Sequence, residues 1–225
     1  MPKPAVSVKV LGHTTDQGRA EDNAEGSSSR LELSERQQSV LVGTLLGDGC
    51  LAKHGRYHRL HVKHKAAHRS LVEFKREVFA EFTTMRLHGF DQKLKGKRYP
   101  CFQFATRTSP VFSEWHNRFY EGRRKIVPNG IDLSPLAVAV WFMDDGAADY
   151  AGVTFQTHSF RADEVERLVR LLNRKFHLAA NSRENKGKRL IYVSAAGLPR
   201  LRDLIDGDLL PDFRYKLIPR RERTP

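Results

Sequence analysis

Two aspartates occupy similar settings in this sequence, each directly after an apolar segment and directly before a glycine. Asp48 follows the segment 41–47 and Asp145 follows 138–144, so the two acids are 97 residues apart. Carboxylate oxygens are hard ligands that suit Mg²⁺ or Mn²⁺ better than Zn²⁺. Two such ions can activate a water and stabilise a leaving oxygen during phosphodiester hydrolysis. The pair therefore indicates metal-assisted phosphodiester chemistry, provided that the fold brings the acids together.

The segments before the two aspartates are predicted to be helices. The first begins after the N-cap Ser34, and the second begins at Ser134-Pro135. Gly43 and Gly47 are four residues apart on the first helix and leave a groove where another helix backbone could approach. Side-by-side packing would bring both acids to one end, where the negative helix C-termini also attract a cation. Glycine is also a common helix stop, so each motif alone fits an ordinary capped helix.

The order of predicted elements repeats along the chain, as helix, strands, helix, strand and helix. After the first acid we expect strands at 50–53 and 57–64, a helix at 67–82, a strand at 98–106 and a helix from 109. After the second acid we expect a strand at 153–157, a helix at 161–176, a strand at 189–194 and a helix at 198–205. The chain is therefore predicted to be an imperfect duplication.

The domain organisation follows from this repeat. Residues 12–30 are polar and contain no large apolar side chain, so residues 1–33 are expected to be a flexible tail. The first half-domain is predicted over 34–127 and the second over 135–225. Between them, 128–134 is rich in turn-forming residues and is predicted to be a linker.

The charge of the chain favours nucleic acid as the partner. The 225 residues carry a net charge of +13, with a pI near 10.0. Residues 1–34 contain four bases and five acids, so the rest of the chain carries +14. A folded region this basic repels itself unless a polyanion is bound. Charge alone does not identify a function, since a basic protein can simply be soluble.

Composition also limits the class of protein and its compartment. The chain is 40% hydrophobic, which is enough for a real core. No uninterrupted apolar run approaches the roughly 20 residues of a membrane helix, and the N-terminus lacks a signal-peptide core. Two cysteines cannot form a disulfide framework or a four-thiolate zinc site. We therefore expect no membrane partner and an intracellular location, bacterial cytoplasm or organelle matrix, and not a secreted protein.

The two segments resemble the paired motifs of LAGLIDADG homing endonucleases, in the single-chain form that carries both motifs. The first motif is Leu41-Val42-Gly43-Thr44-Leu45-Leu46-Gly47-Asp48-Gly49. The second includes Trp141-Phe142-Met143-Asp144-Asp145-Gly146, similar to a variant common in organellar and bacterial intron-encoded members. The similarity covers about residues 35–220, including 157–160 (THSF) and 210–217 (LPDFRYKL). It implies an α+β fold of pseudo-twofold duplicated αββαββα units, with two antiparallel DNA-binding sheets around a central pair of LAGLIDADG helices.

The resemblance also implies roles for individual residues. The metal-binding acids fall on Asp48 and Asp145, and the carbonyls of the preceding Gly47 and Asp144 are further metal ligands in some members. The second motif has Val140 where the first has Gly43, so the helix pair is asymmetric, and it has the bulkier, charged Asp144 where the first has Gly47. The side chain of Asp144 could also rival that of Asp145 as a ligand.

Basic and water-positioning residues complete the implied site. Lys125 and Lys216 match the residues that stabilise the phosphate or activate water, at similar spacings of 77 and 71 residues from their aspartates. His64 matches the water-positioning residue in the first half. In the second half that role falls on His158 or Ser159, and the sequence does not decide between them.

DNA contacts are expected on the outward faces of the two sheets, which fit a major groove. The candidates are polar or basic residues on or near the predicted strands: Lys53, Arg56, Tyr57, Arg59, His61, Lys63, Gln103, Arg107, Gln156, His158, Arg183, Lys188 and Arg189. The histidine run from His54 to His68 also suggests zinc. Strand alternation places His61 opposite His58 and His64, so three ligands would not converge.

The sequence thus predicts a monomeric, Mg²⁺-dependent, site-specific DNA endonuclease, with Mn²⁺ as a plausible substitute. By the resemblance, it would recognise a long, nearly palindromic site, leave short 3′ overhangs and be encoded in an intron or intein. The alternative is an RNA maturase of the same fold that binds its own intron RNA and assists splicing. A third hypothesis is a transcription regulator, although relatives with that role tend to lose the acids that are present here.

Overall fold

The computed structural model describes residues 32–83 and 86–222. The predicted tail therefore lies outside the described residues, except at its last two positions. Leu33 was assigned to that tail but is buried, with 5% of its surface exposed. It directly precedes the N-cap Ser34, a position where an apolar residue often packs against the following helix. Leu33 therefore belongs to the core and not to the predicted tail.

The first half of the chain forms one αββαββα unit. Its elements are α1 (Glu35–Leu46), β1 (Cys50–His54), β2 (Tyr57–Lys65), α2 (Arg69–Val78), β3 (His88–Leu94), β4 (Lys97–Ala105) and α3 (Pro110–Phe119). The strands form an antiparallel sheet in the order β1-β2-β4-β3. A short ribbon of β5 (Tyr120–Glu121) and β6 (Arg124–Lys125) follows α3.

The second half repeats this order. Its elements are α4 (Pro135–Asp145), β7 (Gly146–Ala148), β8 (Val153–Phe155), α5 (Ala162–Phe176), β9 (Ala180–Asn185), β10 (Lys188–Val193) and α6 (Leu198–Ile205). Its antiparallel sheet has the matching order β7-β8-β10-β9. A 3₁₀ segment, Pro211–Leu217, follows α6. The predicted α+β duplication is thus confirmed.

Local sequence signals account for the starts of the two central helices. The Ser34 hydroxyl accepts a hydrogen bond from the amide of Gln37, whose side chain accepts one from the amide of Ser34. The Ser134 hydroxyl accepts a bond from the amide of Ala137, with Pro135 at the first helical position. Every residue from Ala137 to Asp144 is buried. A helix that is apolar on all sides belongs inside a core, and α4 lies there.

Some predicted elements differ from the structure. Strands β3, β7 and β9 were not predicted, because the exposed edge strands β3 and β9 lack an apolar alternation and β7 is only three residues long. The helix predicted over 67–82 is interrupted, with 3₁₀ turns at Ala66–His68 and Ala80–Phe82 on either side of α2. In the described part of the chain, no helix is long and apolar enough to cross a bilayer.

Candidate active site and nucleic-acid interface

The two central helices touch through Gly43 of α1 and through Gly47, the residue directly after α1. A Cβ atom placed on Gly43 would lie 2.4 Å from the carbonyl oxygen of Ala137 and 2.7 Å from the Cβ of Val140. A Cβ on Gly47 would lie 2.5 Å from the Cβ of Asp144. Only glycine permits approaches this close. The groove predicted from the glycine spacing is therefore occupied by α4, and the C-terminal ends of both helices lie together.

The two motif aspartates lie near this common end. The backbone amide of Asp48 donates a hydrogen bond to a carboxylate oxygen of Asp144, at 3.3 Å, while the Asp48 side chain is 53% exposed. Burial, followed by the negative charges of Asp48 and Asp144, raises the pKa of Asp145 to about 8. Loss of solvent and the charge of Asp144 likewise raise the pKa of Asp48. The excess of negative charge is what a bound cation would relieve.

One lysine lies against the end of each central helix. Lys125 Nζ donates to the carbonyl oxygens of Gly47 and Gly49, at 2.7 and 2.8 Å. Lys216 Nζ donates to the carbonyl oxygens of Met143 and Asp144, at 2.7 and 3.2 Å. A cation at a helix C-terminus stabilises the unpaired carbonyls there. Burial lowers the pKa of Lys125 and lowers that of Lys216 to about 8.

The carboxylate of Asp144 does not compete with that of Asp145 for an ion. It is fully buried, and both of its oxygens lie 2.7 Å from the ammonium group of Lys75. Burial alone would raise the pKa of Asp144, but Lys75 and His64 hold it at about 2. The side chain crosses into the first half because Gly47 leaves room for it. The expectation that Asp144 could rival Asp145 is therefore wrong for the side chain, and its carbonyl stays a predicted ligand.

Lys75 was missed by the sequence reasoning. It lies on the apolar stripe of α2, four residues after Leu71 and three before Val78, and none of its side chain is exposed. A lysine at a core-facing position is rarely fully buried without a partner. That position is the signal that could have identified it.

His64 lies between two acids from different halves of the chain. Its Nδ1 is 3.6 Å from Asp48 Oδ2, and its Nε2 is 3.2 Å from Asp144 Oδ1. A cleft of about 420 Å³ opens beside it, lined among others by Lys63, Lys65 and His68. Burial and then the charge of Lys65 lower the pKa of His68 to about 4. His68 is therefore neutral near pH 7, while the cleft remains basic.

The register of the sheets shows which residue of the second half matches His64. Cys50 pairs with His61 in the first sheet, and Ala147, the residue matching Cys50, pairs with Thr154 in the second. His64 lies three residues after His61, and Thr157 lies three residues after Thr154, so His64 and Thr157 match. Thr157 is fully buried and donates to the carbonyl of Arg189 at 2.8 Å. The two alternatives considered, His158 and Ser159, are exposed and lie beyond this position.

The open face of the first sheet carries most of the predicted DNA contacts. Alternate residues of β2 point away from the helices, and their partners on β1 and β4 share that face. Polar and aromatic members of this face include His54, Tyr57, Arg59, His61, Lys63 and Gln103. His54 lies on this face although it was not among the predicted DNA contacts. Arg56 lies in the exposed β1-β2 turn, and Arg107 follows β4 and donates to the carbonyl of Glu81.

Lys53 is placed differently from the prediction. It pairs with His58, so the two side chains share one face. The Nδ1 of His58 lies 3.0 Å from the hydroxyl of Ser113 on α3, and its ring stacks on His116. Lys53 therefore lies on the helix side of the sheet. The prediction failed because the strand alternation was not extended through the hairpin turn.

The open face of the second sheet carries Gln156, Arg183 and Lys188. The guanidinium of Arg183 lies 3.2 Å from the ring centroid of Tyr192 and 3.5 Å from a carboxylate oxygen of Asp149. These contacts hold Arg183 over the sheet. Tyr192 and Asp149 were not predicted, since neither lies in a predicted basic stretch.

Arg189 lies on the opposite face of the second sheet from Arg183. It pairs with Glu184, its guanidinium donates to the hydroxyl of Ser182 at 3.0 Å, and it lies 3.4 Å from Glu166 on α5. Its prediction as a DNA contact on the open face is therefore wrong. The basic stretch of residues 183–189 was treated as one surface, whereas strand alternation divides it between two faces.

Two αββαββα units joined by a glycine-packed helix pair, with an acid and a lysine at the end of each helix, define the single-chain LAGLIDADG architecture. The model of the LAGLIDADG DNA endonuclease family matches residues 38–201, which is more than half of the chain. The chain therefore belongs to the LAGLIDADG DNA endonuclease family.

Known relatives include proteins named for two different activities. The cytochrome b mRNA maturase bI2 of Debaryomyces hansenii is 27% identical over 195 residues, covering 82% of this chain and 74% of the maturase. The probable intron-encoded endonuclease 1 of Wickerhamomyces canadensis is 27% identical over 197 residues, covering 83% of this chain and 85% of the endonuclease. Sequence identity therefore does not separate the two activities.

A solved relative has a closely similar fold. The homing endonuclease I-WcaI, in a structure bound to its DNA recognition sequence, superposes with a TM-score of 0.78 at 27% identity. The match covers 84% of this chain and 88% of that endonuclease. A match of this extent is longer than either half alone, so it includes residues of both halves.

Proposed function

We propose that this protein is a site-specific DNA endonuclease that hydrolyses phosphodiesters with a divalent metal ion, Mg²⁺ or Mn²⁺. The observation that carries this proposal is the position of Asp48 and Asp145 at the shared end of the central helices. Burial and then the negative charge of Asp48 raise the pKa of Asp145 to about 8, so the site favours a bound cation or proton there.

The donor set suits Mg²⁺. In residues 32–83 and 86–222, no group of three histidine, cysteine or acidic side chains could hold an ion by itself. Mg²⁺ commonly binds one or two carboxylates together with waters and substrate phosphates, so a complete protein cage is unnecessary. Asp48 and Asp145 would hold the ion, with the carbonyls of Gly47 and Asp144 as further candidates. When bound, the ion would supply charge neutralisation at the phosphate and activation of water.

The lysines and the histidine have separate roles in the proposed site. Lys125 and Lys216 each lie at a helix end beside one acid and would stabilise the charge that develops on the cleaved phosphate. His64 lies within 3.6 Å of Asp48 and would orient water in the first half. Thr157 occupies the matching position in the second half, so we do not assign that role to His158 or Ser159.

The two sheets would bind successive stretches of one DNA duplex, with their open faces in the major groove. Phosphate contacts from lysines and arginines would provide much of the affinity and make it strongly dependent on salt. We propose a monomer with half-domains at 34–127 and 135–225 and a linker at 128–134, since one chain already contains both acids. A duplicated protein of this kind would recognise a long pseudo-palindromic target and leave short 3′ overhangs. The similarity to I-WcaI supports this proposal.

Selection from a plasmid library of candidate insertion sites, with and without Mg²⁺, tests the proposal. We expect recovery of one target that is cut only when the ion is present. Asp48→Asn and Asp145→Asn should each abolish cleavage while specific binding remains. Asp163→Asn is a matched control, because Asp163 lies in the first turn of α5 and pairs with Arg167 on the surface. Full cutting by either motif variant would refute the assignment of the acids.

An RNA maturase is the second candidate function, favoured by the similarity to the bI2 maturase. It would bind the intron RNA of its own gene and assist splicing. Splicing of such a precursor should then continue with the Asp48→Asn protein, because RNA binding does not need the acid. Loss of splicing in this variant would tie the activity to the nuclease site. The presence of both acids argues against a third role as a transcription regulator.

A further inference from the structure

A buried polar cluster joins the two halves of the protein behind the proposed nuclease site. Lys75 and His64 belong to the first half, and Asp144 belongs to the second. The Lys75 ammonium lies 2.7 Å from both oxygens of Asp144, and His64 Nε2 lies 3.2 Å from one of them. The side chains of Lys75 and Asp144 have no exposed surface, and that of His64 is 3% exposed. Lys75 hydrogen-bonds the Asp144 carboxylate, and His64 Nε2 lies against the same carboxylate without an aligned hydrogen bond.

The cluster extends to the candidate metal-binding acid of the first half. The same Asp144 carboxylate accepts a hydrogen bond from the amide of Asp48, at 3.3 Å. The other ring nitrogen of His64 lies 3.6 Å from the Asp48 carboxylate. Asp144 thus contacts both the backbone of Asp48 and the ring that faces its side chain.

The second half has no equivalent cluster among the residues that the structure describes. Gly47 matches Asp144 in the motif, and Thr157 matches His64 in the register of the sheets. Leu168 lies eleven residues after Thr157, the same spacing as from His64 to Lys75, and is fully buried. The second half therefore has a glycine, a threonine and a leucine where the cluster places an aspartate, a histidine and a lysine.

We propose that Lys75 is a positioning residue for one of the two cleavage sites. Lys75 fixes the Asp144 carboxylate, and this carboxylate fixes the His64 ring and the Asp48 backbone. Asp144 neighbours Asp145 in the second half, but the ring and the backbone amide that its carboxylate contacts belong to the first half. Cutting of one DNA strand therefore depends on Lys75 more strongly than cutting of the other. This inference rests on the proposed nuclease function. It adds that the two DNA strands are cut at unequal rates when Lys75 is lost.

A structural explanation must be separated from this one. Lys75 could simply neutralise a buried carboxylate, in which case its loss would weaken the whole fold and both sites together. The positioning role instead predicts unequal slowing of the two strands and a change at the ring of His64. The experiment therefore needs a strand-resolved measurement and a measurement of His64 that does not depend on cleavage.

The first arm uses the full chain, the target recovered from the library and Mg²⁺, with the two strands labelled differently. His64→Ala identifies the strand that depends on the first half. Lys75→Met should slow this same strand by roughly 10- to 100-fold, the usual effect of losing a partner behind a metal site. The other strand should slow much less, so nicked DNA should accumulate. Lys75→Arg should recover part of the rate, and Lys175→Met is the control, because Lys175 pairs with Asp132 on the surface.

The second arm measures the ring signals of His64 by NMR in the metal-free, DNA-free chain. Lys75→Met should shift these signals, whereas Lys175→Met should leave them unchanged. If Lys75→Met does not fold, the double variant Lys75→Met with Asp144→Asn removes the unpaired buried charge and is measured in its place. This double variant should still show displaced His64 signals and unequal strand cutting, because no lysine holds the side-chain amide that Asp144→Asn introduces.

Equal slowing of both strands in a folded variant would overturn the positioning role. Unchanged His64 signals in a folded Lys75→Met variant would also overturn this role, as would normal strand balance in the double variant. Either result would mean that Lys75 only neutralises a buried charge. If the wild-type chain cuts no DNA with Mg²⁺, the proposed nuclease function fails. The NMR arm then still decides whether Lys75 positions His64.

Discussion

Gly47 and Asp144 occupy matching positions in the two motifs, and a Cβ atom on Gly47 would lie 2.5 Å from the Cβ of Asp144. Because Gly47 has no side chain, the side chain of Asp144 can cross the interface between the two central helices. Asp144 then reaches Lys75, 69 residues earlier in the chain, and forms a buried ion pair between the halves. The asymmetry of the two motifs thus has a direct structural consequence.

Gly47→Ala should destabilise the protein. The added methyl group would also lie 2.5 Å from the Oδ2 of Asp144, and buried overpacking costs about 1–3 kcal/mol. Urea unfolding of the purified chain measures this cost. Gly207→Ala is the matched control, since nothing lies within 4 Å of the position that its methyl group would take. Equal stabilities for the two variants would mean that the helices are not packed through Gly47.

Lys75→Met should also lower the free energy of unfolding, because Asp144 would keep a buried charge without its cation. Breaking a buried ion pair from one side costs about 3–5 kcal/mol. The double variant Lys75→Met with Asp144→Asn should recover part of this loss, since the unpaired charge is removed. A double-mutant cycle from urea unfolding gives the coupling between the two residues. Additive effects of the two substitutions would contradict a direct interaction.

Lys216→Ala should slow cleavage far more than it weakens DNA binding. The ammonium lies at the end of α4 beside the acids, and removing such a charge stabiliser typically costs about 10²-fold in rate. Single-turnover cleavage and equilibrium binding on the same target separate the two effects. Lys188→Ala on the open sheet face should do the reverse, with weaker binding and an unchanged saturated rate. Equal loss of rate and binding in Lys216→Ala would make this lysine a phosphate contact only.

The stability of the metal-free protein should fall as the pH rises toward 8, through Asp145. Burial and the charges of Asp48 and Asp144 raise the pKa of Asp145 to about 8 in the folded chain, from an ordinary value of 3.8. Between these two values the folded chain keeps a proton that the unfolded chain has released. The stabilisation from this group is therefore complete below about pH 4 and is lost as the pH rises through about 8.

Chemical unfolding across this pH range, compared with Asp145→Asn, isolates that contribution. The wild-type protein should lose stability relative to the variant as the pH increases, because asparagine does not titrate. Added Mg²⁺ should stabilise the wild type more at the upper end of the range, where the carboxylate is free of its proton. Parallel pH profiles for the two proteins would show that Asp145 titrates in its ordinary range.

The two arginines at the ends of the second basic stretch should behave differently. Arg183 lies on the open face of the second sheet, and Arg183→Ala should weaken binding of the target by about 1–3 kcal/mol. Arg189→Ala should change binding little, because that guanidinium contacts Ser182 and Glu166 on the helix side. Fluorescence anisotropy at one salt concentration compares them. A larger loss with Arg189→Ala would reverse the assignment of the two faces.

Local features of the sequence were sufficient for much of the fold. The N-caps Ser34 and Ser134 mark the starts of the central helices, and α6 has the predicted bounds Leu198–Ile205. These signals act within a few residues, so a single sequence contains them. The edge strands β3 and β9 were missed because an exposed strand needs only backbone pairing with its neighbour. That pairing leaves no apolar period in the sequence.

Some residues of the candidate site were indicated by the sequence, and others were placed only by the tertiary structure. The resemblance to the LAGLIDADG family indicated both motif aspartates, the two lysines and His64, and the structure brings these residues to the end of the central helix pair. Their roles stay predictions. The side of the sheet on which Lys53 and Arg189 lie, the match of Thr157 to His64 and the burial of Lys75 were settled by the tertiary structure. Each depends on contacts between residues far apart in the chain, such as Lys75 with Asp144. Strand register and the space beside Gly47 determine these contacts, and both arise only when the two halves pack together.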